Sequence, residues 1–184
     1  MILYHERGAI RKATSNDDAN TLAKWWADGN VMAHAGFPLG IKTDVEKLKQ
    51  RLSNQSKNDI LWIIEDDDHL PIGEMHYTIE AEKATLGIKI CDATKHNKGL
   101  GTTILKRMIA HLFSAYPVNY IWLDTMIENT RAQHVYESLH FEKINILKDA
   151  WKDQLGNLRT AIEYKLTRET YKKNEAFYTQ TIPK

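Results

Sequence analysis

Apolar residues along the chain follow two rhythms, strict alternation and spacings of three and four, and the changes of rhythm mark out its elements. GAIRKA (8–13) reads as a short opening strand. TSNDDANTLAKWWADG then has helical spacing: Leu22, Trp25 and Trp26 form an apolar stripe, Thr14 to Asn16 offer capping side chains, and Gly29 is a usual stop. Residues 30–41 read as an irregular loop carrying His34 and Phe37. A second helix is expected from Thr43, whose hydroxyl can cap the first turn while Glu46 reaches back.

ILWIIE (60–65) and IGEMHYTIE (72–80) are strand-like runs around a charged turn that ends in proline, so the pair reads as a hairpin. ATLGIKICD (84–92) alternates through Leu86, Ile88 and Ile90. The helical pattern that follows places Leu100, Ile104, Leu105, Met108 and Leu112 on one face, so this helix is expected to pack on a sheet. YIWLDTM (120–126) is a further strand, and Ala132, Val135, Tyr136 and Leu139 give a short helix. Residues 141–150 and 158–166 finish as two strands around KDQLGN. Strand, two helices, three strands, helix, strand, helix and two strands make a mixed α/β fold. The polar and aromatic tail from Arg168 has no expected element; its aromatics from Tyr171 to Tyr178 read as a frayed end or as a homodimer contact.

The 184 residues fit one domain, 1–184, with a core over about 8–166 and a tail over 167–184. An apolar fraction of 42% and a charged fraction of 27% are those of a soluble globular chain. The formal net charge of +1 carries no basic bias, so no nucleic-acid partner is expected. The apolar run at the N-terminus is too short for a signal peptide, and no stretch approaches a membrane span. Cys91 is the only cysteine, which excludes an intramolecular disulfide. A cytoplasmic protein with no membrane partner is the expectation. The eight histidines show no metal spacing, so no metal is expected.

HNKGLG (96–101) opens the long helix and raises the question of a ligand. A dinucleotide loop needs a third glycine, and Gly101 is followed by Thr102, Thr103 and Ile104. A P-loop needs a lysine and a hydroxyl after its last glycine, and Lys106 comes too late. Glycines at a helix start nonetheless leave N–H groups unpaired and unshielded beside the positive end of the helix dipole, which suits a phosphate. Lys95, Lys98 and Arg107 are nearby cations. On this loop alone, a phosphate cradle and a tight strand-to-helix turn both stand.

The second half resolves the choice by resemblance. His96-Asn97-Lys98-Gly99-Leu100-Gly101 resembles the pyrophosphate loop (Arg or Gln)-x-x-Gly-x-(Gly or Ala) of the GCN5-related N-acetyltransferases (GNAT), departing only at His96. Asn129 and Ala132, followed by Tyr136-Glu137-Ser138-Leu139-His140-Phe141, resemble that family's Asn-x-x-Ala and Tyr-Glu-(Lys or Ser)-x-Gly-Phe segment, with His140 in place of glycine. The order of elements is similar as well, over roughly 8–166.

The resemblance implies an acyl-CoA N-acyltransferase fold: a central, mostly antiparallel seven-stranded sheet, splayed between its fourth and fifth strands and flanked by about four helices. It implies acetyl-CoA as acyl donor, with the pantetheine arm between the splayed strands. Backbone groups near Ile88, Ile90 and Cys91 are then expected to bond pantetheine and polarise the thioester carbonyl. The segment His96, Asn97, Lys98, Gly99, Leu100, Gly101 and Thr102 is expected to hold the pyrophosphate, with His96 contributing mainly backbone. Asn129 would bond the coenzyme arm, cap its helix, or do both.

Tyr136 is expected to protonate the departing thiolate, the alternative being a core role. Removing the proton of an amine acceptor needs a base, and Asp124 and Glu74 are the two carboxylates considered. Trp26, His34, Phe37, His76 and Asp124 are expected to line the acceptor site. The implied activity is transfer of acetyl to a primary amine in a ternary complex, the acceptor being a ribosomal-protein-type N-terminal amine or an aminoglycoside. The alternative is a non-catalytic acyl-CoA-binding or sensing domain of the same fold.

Overall fold

The computed structural model describes residues 1–180; the last four residues of the expected tail, 181–184, lie outside the described residues. Eight strands form one sheet: β1 (Ile2–His5), β2 (Gly8–Lys12), β3 (Asp59–Glu65), β4 (Pro71–Glu80), β5 (Lys83–Ile90), β6 (Tyr120–Met126), β7 (Glu142–Lys152) and β8 (Leu158–Thr167). Their spatial order is β1-β2-β3-β4-β5-β6-β8-β7. Every neighbouring pair is antiparallel except β5 and β6. The helices are α1 (Ala19–Ala27), α2 (Gly29–Met32), α3 (Val45–Ser53), α4 (Leu100–Ala115), α5 (Thr130–Ser138), α6 (Arg168–Lys173) and α7 (Glu175–Thr179).

The sheet has eight strands rather than seven because ILYH turns back on GAIRK as a hairpin, pairing Ile2 with Arg11 through His5 with Gly8. Gly8 sits at φ +133, and a Cβ there would meet the Glu65 carbonyl at 2.1 Å, so this turn needs glycine. The near-continuous apolar run of β3 follows from burial on both faces. Ile60, Trp62 and Ile64 join α4 in the main core, while Leu61 and Ile63 pack with Leu22 of α1 and Leu48 and Leu52 of α3.

Two helix starts differ from expectation. α1 begins at Ala19, not after Thr14 to Asn16, and the Asp18 carboxylate before it makes no capping bond. Arg11 grips both its oxygens at 2.7 and 2.8 Å, and the Thr14 amide donates to it at 2.6 Å. α3 is capped by Asp44, not Thr43: the carboxylate accepts from the Glu46 and Lys47 amides, while the Thr43 hydroxyl turns back to the Ile41 carbonyl. The expected loop 30–41 carries one helical turn, α2, and a 3-10 turn, Ala33–Ala35.

Over its described residues the tail is not frayed, since Tyr171 and Tyr178 are buried in the chain's own core. Tyr171 stacks on Phe113 at 4.7 Å, and the Tyr178 hydroxyl donates to the Leu139 carbonyl at 2.7 Å. Arg168 donates to the carbonyls of Phe113, Tyr116 and Val118 at 2.7 to 2.8 Å, satisfying the end of α4 and the turn after it. His140 occupies the left-handed region at φ +60, the conformation open to the glycine it replaces, and packs on the Phe177 ring at 5.0 Å. Tyr178→Phe keeps the ring and leaves one buried carbonyl unpaired. It is expected to lower unfolding free energy by about 1 kcal/mol in urea titration. An unchanged midpoint would contradict this packing of the tail.

The splay lies where the resemblance implies it, displaced by one in numbering by the extra hairpin. β5 and β6 pair only at Lys83–Tyr120, Ala84–Ile121 and Thr85–Trp122, then part. β4 keeps its pairing with β5 out to Ile90, so the cleft opens on the β6 side alone.

Candidate active site

The parted strands leave β5 with one unpaired edge, and the ladder on its other edge says which groups face the cleft. The Cys91 amide donates to the Ile72 carbonyl at 2.8 Å, so Cys91 turns its N–H toward β4. Alternation then aims the Ile88 and Ile90 amides at the cleft. The N–H of Cys91 is thus spoken for, and Ile88 and Ile90 supply the free amides. Burial, and then the Glu74 charge, push the Cys91 thiol up to about 12, so it is no nucleophile at neutral pH.

The loop after β5 is built for backbone exposure. The Asp92 side chain caps the 3-10 turn Ala93–Lys95 by accepting from Thr94, and His96 then departs in extended conformation. The His96 ring lies 2.8 Å from the Ile90 carbonyl through Nε2. Its side chain therefore ties the loop to the cleft strand, beyond the backbone role expected of it. Gly99 turns left-handed at φ +74, and α4 starts with no side-chain cap. The first intrahelical donor is Thr103, to the Gly99 carbonyl, which leaves the Leu100, Gly101 and Thr102 amides unpaired in the ladder. A Cβ added at Gly99 or Gly101 would meet nothing within 4 Å. These glycines keep space open rather than avoiding a neighbour.

A cavity of about 1150 Å³ runs along this surface, and each residue expected to hold the coenzyme, from Ile88 through Thr102 and on to Asn129 and Tyr136, lies on its wall. Lys98 and Arg131 bring positive charge, whereas Lys95 pairs with Asp66 at 2.7 Å and Arg107 turns away to the Tyr4 carbonyl. The Arg7 guanidinium, from the β1–β2 turn, donates to the Lys98 carbonyl and braces the loop from outside. Asn129 caps α5 by accepting from the Ala132 amide at 3.2 Å, which leaves its NH2 group for a ligand. Both roles considered for it are compatible.

A second cavity of about 460 Å³ adjoins the first and contains Glu74, His76, Lys89, Asp124 and Trp151. The two share His34, Ile88, Lys89, Asn129 and Tyr136. Tyr136 is buried, edge-on to Tyr164 at 5.5 Å. Burial, and then the Asp124 charge, hold its phenol well above the ordinary value. Tyr136 is a core residue that also lines the junction of the two cavities.

The two carboxylates differ. Glu74 is 4% exposed, with one oxygen 2.5 Å from the Lys89 ammonium and the other accepting from the Trp26 indole at 2.9 Å. Trp26 thus acts behind Glu74 and does not itself line either cavity. Asp124 faces Glu163 on β8; desolvation, and then that like charge, raise its carboxyl above the ordinary value. His76 stands 2.8 Å from Asp59 at the cavity wall. Phe37, 38% exposed, lies on the turn outside both cavities. Trp151 packs on Gly36, where a Cβ would come within 2.3 Å of its ring, a pairing no local pattern in the sequence announces. Among the described residues no group of three or more His, Cys, Asp or Glu could hold a metal ion, and no helix is long and apolar enough to cross a membrane.

Residues 7–142 match the model of the acetyltransferase (GNAT) domain. A curated relative, the uncharacterized N-acetyltransferase p20 of Bacillus licheniformis, is 24% identical over 92% of this chain and 97% of its own. Among solved structures, spermidine N-acetyltransferase from Vibrio cholerae, in complex with CoA and spermine, superposes with a TM-score of 0.78 at 19% identity, covering 88% of this chain and 96% of that one. The ribosomal L7/L12 alpha-N-protein acetyltransferase RimL, in complex with coenzyme A, gives 0.79 at 14% identity, covering 92% and 99%. The chain belongs to the GNAT acetyltransferase family and is, on that footing, an N-acetyltransferase.

Proposed function

We propose that the donor is acetyl-CoA and that the acetyl group passes directly to a primary amine while both substrates are bound. The observation that carries this reading is the continuity of the cleft. Unpaired amides at the start of α4, free amides of Ile88 and Ile90, and the junction at Tyr136 follow one another along a single wall. Phosphates suit the first, an extended amide-bearing arm the second, and a thioester the third. Two relatives of this fold were solved with CoA, which supports the same reading.

The second cavity reaches the junction from the acceptor side, so attack by an amine needs no covalent enzyme intermediate, and Cys91 is too weakly acidic to supply one. Asp124 on its wall favours a cationic amine. We propose a protein N-terminal amine, an aminoglycoside or another small amine as the acceptor, and a reducing cytoplasm, which suits the lone Cys91, as the setting.

A panel decides among acceptors: a short peptide with a free N-terminus, a polyamine and an aminoglycoside, each followed by thiol release from acetyl-CoA. At least one is expected to accelerate release and to gain an acetyl group by mass spectrometry. Acceleration by none of the three classes would overturn the acceptor assignment.

A further inference from the structure

The two cavities meet at a residue whose chemistry is unassigned. His34 lies on the 3-10 turn Ala33–Ala35 and lines both cavities. The segment carrying it is clasped from 115 residues away. The Gln154 side chain accepts from the Leu39 amide at 2.9 Å and donates to the Gly40 carbonyl at 3.0 Å, and its own amide donates to the Gly36 carbonyl at 2.9 Å. Trp151, from the same hairpin, closes over Gly36. The tip of β7–β8 thus fixes the turn that presents the imidazole.

The carboxylates of the acceptor wall are less suited to receive a proton. Glu74 already holds Lys89 and Trp26. Asp124 remains a carboxyl, much less basic than the amine it would serve, whereas an imidazole titrates near the working pH, where a general base is most effective. We propose that His34 takes the proton from the acceptor's ammonium group and that Gln154 is the positioning residue that holds it there. The proposal rests on the reading of the cleft as an acetyl-CoA and amine site.

The charged groups around the imidazole are consistent with that role. Desolvation lowers its pKa first, followed by Arg131 of α5; Glu128, before α5, opposes them, and His96 adds to the lowering. Asp28, Asp124, the Glu74–Lys89 pair, Lys95, Lys98, His76 and His134 are the other charged and imidazole groups on the two walls. With its pKa below the usual value, His34 is neutral, and so able to accept a proton, at neutral pH.

The ammonium gives one proton to His34, and the freed nitrogen pair forms the C–N bond at the thioester carbonyl. The oxygen takes up the π pair and returns it as the C–S bond breaks, leaving its pair on sulfur. The surplus N–H proton reaches the thiolate through the Tyr136 hydroxyl, and imidazolium releases its proton to water. Thioester and ammonium become amide, thiol and one solvent proton.

The test joins kinetics to a titration that needs no turnover. In the wild type, kcat/KM for the amine at saturating acetyl-CoA should rise with pH through the pKa of His34 measured by NMR in the coenzyme A-bound enzyme. Arg131→Met removes a cation and should move both to higher pH together. His34→Gln should abolish that limb and lower kcat/KM by about 100-fold at neutral pH, with KM for acetyl-CoA unchanged. Gln154→Ala should lower kcat by about tenfold at unchanged KM for acetyl-CoA, and Asp124→Asn should keep the limb. The proposal is overturned if the NMR titration shifts in Arg131→Met while the kinetic limb stays, or if Asp124→Asn loses the limb and His34→Gln keeps it. A wild type that transfers acetyl to no amine would sink the underlying functional reading instead, and is told apart by the absence of any profile.

Discussion

Gly101→Val is expected to leave folding stability within about 0.5 kcal/mol of the wild type, since valine in a helix is no worse than glycine, and to weaken coenzyme A binding by about 100-fold. Both halves follow from one observation: a Cβ at Gly101 meets nothing within 4 Å, so the free protein has room for it. That room is where the phosphates are proposed to lie against the Leu100, Gly101 and Thr102 amides. Displacing them by a branched side chain forfeits one or two hydrogen bonds to a charged group, each about 1.5–3 kcal/mol. Gly99 would be a poorer probe, because its φ of +74 makes any side chain strained and would mix a stability loss into the result. Thermal denaturation and calorimetric titration with coenzyme A read the two quantities separately. A stable variant with unchanged affinity would contradict the cradle.

Tyr136→Phe should lower kcat by about 100-fold, at the lower end of what general acid–base catalysis contributes, and leave coenzyme affinity nearly intact. The ring keeps its packing against Tyr164 at 5.5 Å, and only the hydroxyl at the junction is lost. The elevated phenol pKa shapes the mechanism. A thiol titrates near ~8.5, so full donation from this phenol to a thiolate runs uphill unless nitrogen surrenders its proton in the same event. The sign of the shift also matters: a raised pKa keeps Tyr136 protonated to higher pH, so no loss of the acid is expected up to about pH 10. Stopped-flow and steady-state rates over that range check both points. Unchanged turnover in the phenylalanine variant would remove Tyr136 from proton transfer and leave water as the donor.

The readable parts of the fold were those with sustained local pattern. The stripe from Leu100 to Leu112, the alternation of β5 and the double-sided run of β3 each reflect burial that adjacent residues share. The hairpin of β1 and β2 escaped notice because four residues are too few to show a period. Its turn then places Arg7 on the Lys98 carbonyl, a brace on the cradle that only the fold reveals. The starts of α1 and α3 differ from expectation because several capping residues stand in a row: the Asp44 carboxylate takes the first amides of α3 ahead of Thr43, and α1 starts after Asp18, whose carboxylate is held by Arg11.

The same division runs through the site. The wall proposed for the coenzyme is local in sequence, one contiguous loop plus one helix start, and its expected residues line one cavity. The second cavity is assembled from the 3-10 turn Ala33–Ala35, β4, β5, β6 and β7, elements far apart in sequence, so Trp151 gave no local signal. His96 shows a subtler limit. The motif assigns that position a backbone task, whereas here the imidazole grips Ile90 and couples the loop to the splayed strand. The aromatic tail, polar enough to look free, completes the core through Tyr171 and Tyr178.

Acetyl transfer from acetyl-CoA to an amine is the central claim, and its most direct measurement is paired: free thiol released and N-acetylated amine formed, in one reaction, with wild type and Gly101→Val side by side. The account predicts equal amounts of thiol and acetyl-amine from the wild type, and little of either from the variant at subsaturating coenzyme. Thiol release without acetyl-amine, or equal activity in both proteins, would contradict it.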